Sequence, residues 1–363
     1  MPTFRPDIRE ISPYVPGRPI ADVAREHGFD PSEIAKLASN ESPLPPFPEA
    51  QQVMSEMVSS SHRYPDNAAR ILRLAIGEHF DVPPDHVWVG GGSSELLRVV
   101  SSAVGGPGTS AVYPWPSFVI YRLGSIVAMA DRIEVPLVDH RLDLDAMAAA
   151  IRDDTTVVFL CNPNNPSGTV LPAVEVSAFI SEIPDRVTVV VDEAYNEYVT
   201  DPAHATALPH ALERPNVLVT RTFSQIYGLA ALRVGYAFGH PETIAELRKA
   251  QAPFTVTALG QVAAVESLPH RHEVDRRAEM NASERTRLES RFDELGIDHV
   301  RSQANFVYFR LGAGTAETTE AFVRHGIIIR PFDSGWVRVT VGTPEENTRF
   351  LDALEIELGN LSN

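Results

Sequence analysis

The hydrophobic pattern along the chain alternates between two periods. Residues 87–89, 110–113, 132–135, 157–160, 187–191 and 217–220 are short runs, most of them rich in β-branched residues. Runs that are apolar throughout fit strands covered on both faces, and therefore a largely parallel sheet. Between several of them, apolar residues recur three and four positions apart. Ile71, Leu72, Leu74, Ala75 and His79 follow the turn-rich His62-Arg-Tyr-Pro-Asp66 in this way, and residues 144–151 repeat the pattern. That spacing predicts amphipathic helices. Strands and helices in alternation predict an α/β fold.

Further on, residues 258–268 read as an apolar helix and 273–295 as a long charged one. Residues 304–308, 327–330 and 337–341 then alternate with a helix over 315–325 and a terminal helix from Pro344. This is a smaller α+β unit, separable by its pattern from what precedes it. The expected organisation is an N-terminal arm over 1–32, with Tyr14-Val-Pro-Gly17 as its most ordered point. A large domain follows over 33–262, and a small C-terminal domain over 263–363. The sequence contains no internal repeat.

Polar clusters end several of the predicted strands, where open α/β sheets bind ligands. Gly90-Gly-Gly-Ser-Ser-Glu95 lies between a strand and a helix. Exposed N–H groups and the positive end of a helix dipole suit a dianion at such a turn. Asn162-Pro-Asn-Asn-Pro-Ser-Gly-Thr169 and Asp192-Glu-Ala-Tyr195 close two more strands. The stretch from Arg221 to Tyr236 reads as a loop of hydroxyls and small residues with Arg233 near its end. Small residues let the backbone approach a phosphate, and a guanidinium can pair with it.

Composition narrows the function classes. A formal net charge of −17 argues against nucleic acid or an anionic membrane as the main partner. Cys161 is the single cysteine, which excludes an internal disulfide and a multi-cysteine metal site. No apolar run reaches membrane-spanning length and the first residues lack a signal-peptide core, so a cytoplasmic protein is expected. Lys36 and Lys249 are the only lysines.

The 221–236 stretch resembles the lysine loop of fold-type-I pyridoxal-phosphate (PLP) aminotransferases. Other motifs agree, in order along nearly the whole chain: Lys36-Leu-Ala-Ser-Asn-Glu41, Arg63-Tyr-Pro-Asp66, Gly92-Ser-Ser-Glu95, Cys161-Asn-Pro-Asn-Asn-Pro-Ser-Gly168, Asp192-Glu-Ala-Tyr195 and Val337-Arg-Val-Thr-Val341. The sequence is most similar to histidinol-phosphate and aromatic amino-acid aminotransferases. The resemblance implies that Asp192 faces the pyridine nitrogen and that Asn165 and Tyr195 bond the ring's phenolic oxygen. It implies that Phe118 lies on the ring, and that Ser93, Ser94, Thr222, Ser224 and Arg233 hold the phosphate. Tyr64 would reach that phosphate from the second subunit of a homodimer. Arg338 would clamp the substrate carboxylate, with Asn40 and Tyr14 lining the pocket. No metal is implied.

One position departs from the family: Gln225 stands where the lysine that binds PLP belongs. An amide is not nucleophilic and does not titrate near neutral pH, so it can neither tether the aldehyde nor shuttle a proton. PLP or pyridoxamine 5′-phosphate is therefore expected to bind non-covalently. Three readings stay open. The chain is an aminotransferase stalled by a glutamine introduced at the lysine's place. Alternatively the glutamine is native and serves a different PLP or pyridoxamine reaction, with Tyr195 or a water as base. The third reading is a non-catalytic cofactor-binding relative. The aromatic branch is favoured by Tyr14-Val-Pro-Gly17 and Gln251-Ala-Pro-Phe-Thr-Val256.

Overall fold

Successive residues of the apolar runs pack into different cores, which is why the runs carry no polar face. Val189 and Val191 belong to the core on one side of the main sheet, and Val190 to the core on the other. Val158 and Leu160 are likewise divided from Val157 and Phe159. A strand with period-two side chains and two buried faces must be apolar at every position.

The computed structural model describes residues 2–9, 11–14, 17–312, 315–332 and 335–361. Val15 and Pro16 of the expected turn at Tyr14-Val-Pro-Gly17 lie outside the described residues. The strands in chain order are β1 (Ala35–Lys36), β2 (Val87–Gly90), β3 (Ser110–Trp115), β4 (Asp131–Pro136), β5 (Thr155–Cys161) and β6 (Thr188–Asp192). After these come β7 (Val217–Thr222), β8 (Gly235–Gly239), β9 (His299–Val300), β10 (Phe306–Arg310), β11 (Ile327–Ile328), β12 (Arg330–Pro331) and β13 (Trp336–Thr340). The main sheet has seven strands in the order β2-β8-β7-β6-β5-β3-β4. All neighbours are parallel except those of β8, which runs against both β2 and β7. The sheet is mostly parallel, as expected from the runs apolar on both faces.

The loop expected from Arg221 to Tyr236 is shorter than the sequence suggests. β7 continues through Thr222, and residues 235–239 form β8. In Gly235-Tyr-Ala-Phe-Gly239 two glycines and an alanine dilute the strand preference of Tyr236 and Phe238, so local propensity is weak there. Sheet pairing on both sides overrides it.

A second, four-stranded antiparallel sheet of order β12-β13-β10-β9 carries its own core of Val307, Phe309, Val337 and Val339 against Leu288, Phe292 and Phe350. The 24-residue helix Arg271–Glu294 leads into this unit. The helix Ala258–Ser267 is continuous across residue 262, where the boundary was expected, and its Ala263 and Ala264 pack in the large core. At the other end of the chain, β1 pairs in parallel with β11, and Val23, Ala24 and Ile34 pack with Val323 and Ile328. Residues 33–38, expected to open the large domain, therefore pack on the C-terminal unit. Two-residue strands are too short for periodicity to reveal. Among the described residues no helix is long and apolar enough to cross a membrane.

Candidate active site

The carboxyl ends of β3, β5, β6 and β7 and the mouth of the helix Ser93–Val104 open into one cavity of about 1310 Å³. The small sheet closes its far side through Tyr308, Arg330, Trp336 and Arg338. Of the residues expected from the sequence, Tyr14, Asn40, Ser93, Ser94, Phe118, Asn165, Asp192, Tyr195, Thr222, Ser224, Gln225, Arg233 and Arg338 all line it. Tyr64 does not. It is 83% exposed and stacks on Phe254 with ring centroids 4.6 Å apart.

At one end the cavity is an anion cradle. Gly92, at φ 83°, precedes Ser93 and Ser94 in the first turn of the helix, whose N-terminus has no side-chain cap. Its free N–H groups and dipole favour negative charge. The Thr222 hydroxyl donates to Ser224 Oγ (2.9 Å), which also accepts from Arg233 Nη1 (3.3 Å). A Cβ on Gly92 would collide with the Arg233 guanidinium, and one on Gly235 with the Ser93 amide. Glycine at both positions is what lets backbone and guanidinium close on the same small volume.

Asp192, at the end of β6, is fully buried. Its Oδ2 accepts from Tyr121 Oη at 2.9 Å and its Oδ1 from Thr220 Oγ1 at 3.1 Å. Burial pushes its carboxyl up to about 6, although these donors favour the charged form. These hydroxyls and the Ala194 N–H do not outweigh the cost of burying the charge.

Toward the small sheet, Arg338 Nη1 donates to Asn165 Oδ1 (2.5 Å) and Nη2 to the Ala38 carbonyl (2.8 Å), while its buried Nε has no partner. Burial pulls its pKa down to about 10, so it remains a cation at neutral pH. Tyr195 Oη accepts from Asn40 Nδ2 (2.8 Å) and Asn165 Nδ2 (3.3 Å). Asn40 is held at φ 55° by bonds from its N–H to Thr340 and from Asn305 Nδ2 to its carbonyl. Gln225 follows Ser224, and its backbone carbonyl accepts from Gly228 N at 2.9 Å. Its side-chain Oε1 is buried and has no hydrogen-bond partner. Lys36 also lines the cavity, but Nζ is paired with Glu41 Oε1 at 3.0 Å; Lys249 is exposed on a helix and paired with Glu246.

This chain matches the family model for aminotransferase class I and II over residues 32–354. It belongs to that family. It is 42% identical over 361 residues to histidinol-phosphate aminotransferase 1 of Cupriavidus pinatubonensis, covering 97% of this chain and 96% of the relative. It is 43% identical over 350 residues to the aromatic amino acid aminotransferase of Thermobifida fusca, with 96% of each chain covered. Histidinol-phosphate aminotransferase from Sinorhizobium meliloti, solved in complex with pyridoxal-5′-phosphate, superposes with a TM-score of 0.89 at 26% identity, over 99% of this chain and 98% of that one.

Sequence reasoning missed several residues of this aminotransferase site. Tyr121 sits on the helix Val119–Ala128 and is fully buried, and no local signal ties it to an aspartate 71 positions away. His140, Tyr308, Phe332 and Trp336 form an aromatic wall: Trp336 lies 4.7 Å from Tyr308 and 4.4 Å from His140 between ring centroids. Trp336 opens the Arg338 strand, β13, and Phe332 follows its partner β12, so the spacing of β13 was the one available clue.

The electrostatics of Asp192 predict a stability effect. Its folded pKa of about 6 lies above the unfolded value near 3.9, so the folded state holds an extra proton between the two. Stability of the cofactor-free aminotransferase therefore falls as pH rises from about 4 to about 6, by up to about 3 kcal/mol. Asp192→Asn is expected to unfold at higher urea than the parent at pH 8, with the difference gone at pH 4. Equal midpoints at pH 8 would refute it.

Proposed function

We propose that this cavity seats PLP or pyridoxamine 5′-phosphate without a covalent bond. The architecture is that of an aminotransferase for aromatic amino acids or histidinol phosphate, with its covalent step removed at Gln225. The observation that carries this reading is the pairing in one cavity of a buried, under-compensated carboxylate with a glycine-lined anion cradle. A molecule with a protonated ring nitrogen and a phosphate tail answers both. The donor set fits the group.

In this reading Ser93, Ser94, Thr222, Ser224 and Arg233 hold the phosphate through charge-assisted hydrogen bonds. Asp192 keeps the proton on the pyridine nitrogen, because an ion pair relieves its buried charge. Phe118, partly buried against Tyr121, stacks on the ring face and limits its tilt. Asn165 and Tyr195 hydrogen-bond the phenolic oxygen. Burial raises the Tyr195 pKa, so its hydroxyl keeps its proton at neutral pH and serves as a donor rather than a base. That weighs against Tyr195 as a substitute for the missing lysine. Arg338, with an unpartnered Nε, clamps the substrate carboxylate, and the aromatic wall suits a flat side chain. When bound, PLP supplies a carbonyl carbon that exchanges with amino groups and an electron-poor ring that stabilises charge at Cα. Gln225 cannot bond to that carbon or carry the proton.

A homodimer forms part of the proposal. Tyr64 is exposed and ordered against Phe254, whose N–H donates to Asn67 Oδ1 at 2.6 Å; from there it would reach the phosphate of a second copy. Equilibrium dialysis tests the reading. Both phosphorylated vitamers are expected to bind and unphosphorylated pyridoxal to bind poorly, and Arg233→Ala is expected to weaken binding about 10- to 100-fold. No binding of either phosphate ester at millimolar concentration would end the proposal.

A further inference from the structure

We infer that Gln225 makes this cavity selective for the amine form of the cofactor, pyridoxamine 5′-phosphate, over the aldehyde. The inference rests on the proposed vitamin B6 phosphate seat and concerns what the chain does at the position opposite the ring's C4′ substituent.

The amide oxygen of Gln225 is buried beside Ser224 and has no donor. A buried acceptor is stable only when something donates to it. No donor of the chain reaches it in this structure. Asn40 and Asn165 each direct one amide hydrogen at Tyr195, and Arg338 spends Nη1 and Nη2 on Asn165 and Ala38 while its Nε bonds nothing. The Thr222 hydroxyl goes to Ser224, and Lys36 is tied to Glu41. A ligand that brings its own donor to this point satisfies the acceptor without disturbing those bonds.

The two vitamers differ in what they bring. The aminomethyl group of pyridoxamine phosphate is an ammonium with N–H donors and a positive charge. The aldehyde of PLP is an acceptor with no hydrogen to give. It also finds no amine at position 225 to condense with, so the covalent contribution is lost. Charge points the same way. A lysine at this place would put a cation in the cavity near Asp192, and Gln225 puts none. The ligand's own ammonium restores that charge and fills the empty acceptor together. A hydrogen bond between a charged donor and a buried acceptor is worth about 10- to 100-fold in binding.

The test uses the full chain and three probes: pyridoxamine 5′-phosphate, PLP and 4-deoxypyridoxine 5′-phosphate, which has a methyl at C4′. Binding is read by equilibrium dialysis and by quenching of tryptophan fluorescence, since Trp115 lines the cavity. Pyridoxamine phosphate is expected to bind at least about 10-fold tighter than the other two. Gln225→Leu should bring all three within about 3-fold of one another. Gln225→Glu, which presents an oxygen whichever way the group turns, should keep the preference or enlarge it. Thermal melting of both variants checks that they fold. PLP binding as tightly as pyridoxamine phosphate overturns the inference, as does a preference that survives Gln225→Leu. A borohydride-trapped PLP adduct at Lys36 also overturns it. Equal binding of all three probes sinks only this selectivity. Binding of none sinks the seat itself, and the selectivity with it.

Discussion

Gln225→Lys is expected to raise amino-group transfer by about 10²- to 10⁴-fold, the usual worth of a positioned proton carrier. The proposed seat requires no other change, because Ser93, Ser94, Arg233, Asp192 and Arg338 already line one cavity. Lysine and glutamine have similar reach, and the loop is fixed by backbone bonds from Gly228 to Gln225 and from Leu229 to Phe223 rather than by the residue 225 side chain. The variant should also acquire a bond to PLP that borohydride fixes at position 225, detectable by mass. Phenylalanine, tyrosine and histidinol phosphate are the donors to assay. A variant that traps PLP covalently but moves no amino group from any of them would show that the lysine was not the missing part.

Arg221→Leu is expected to cost about 3–5 kcal/mol of stability, because it strands buried carboxylates. Arg221 Nε and Nη2 both donate to Glu193 Oε2, at 3.1 and 2.8 Å, and Nη1 lies 3.6 Å from Glu197. All three residues are largely buried. Burial lowers and the two glutamates raise the Arg221 pKa, with the glutamates prevailing; burial raises that of Glu197 against Arg221. Glu193 also accepts from the Thr206 hydroxyl and the Ala207 N–H, both at 2.7 Å. The cluster thus ties the end of β6, which carries Asp192, to the end of β7, which carries Thr222. Without the arginine Glu193 keeps its Thr206 and Ala207 donors but loses its cation, as does Glu197, whose carboxyl burial already pushes up. The deficit should therefore be full at pH 8 and shrink as pH falls and the groups protonate. Urea midpoints at pH 8 and 5.5 measure this. A second variant that also carries Glu193→Leu should recover part of the loss.

Much of this architecture was legible because its strands have two buried faces. Val189, Val190 and Val191 had to be apolar in succession, and so they announced themselves. The cavity residues were legible where they end such strands, as Asp192 does, or sit in glycine turns, as Ser93 and Ser94 do. β8 was hidden because pairing on both edges, rather than local propensity, makes Gly235-Tyr-Ala-Phe-Gly239 extended. Tyr121 and the aromatic wall were hidden because their roles exist only across the fold. Asp192 and Tyr121 meet over 71 positions, and His140 meets Trp336 from the opposite sheet. The coupling of β1 to β11 joins residues nearly 300 positions apart and leaves no periodic trace.

The strut through Asn40 has a mechanical consequence. The proposed phosphate cradle hangs on the large sheet and Arg338 on the small one, with Asn40 reaching Tyr195 on one side and Thr340 on the other. A substrate that touches both ends acts as a cross-brace spanning two separately packed cores. Occupancy should then bind the two cores into a single melting unit, since a ligand held by both stabilises neither alone.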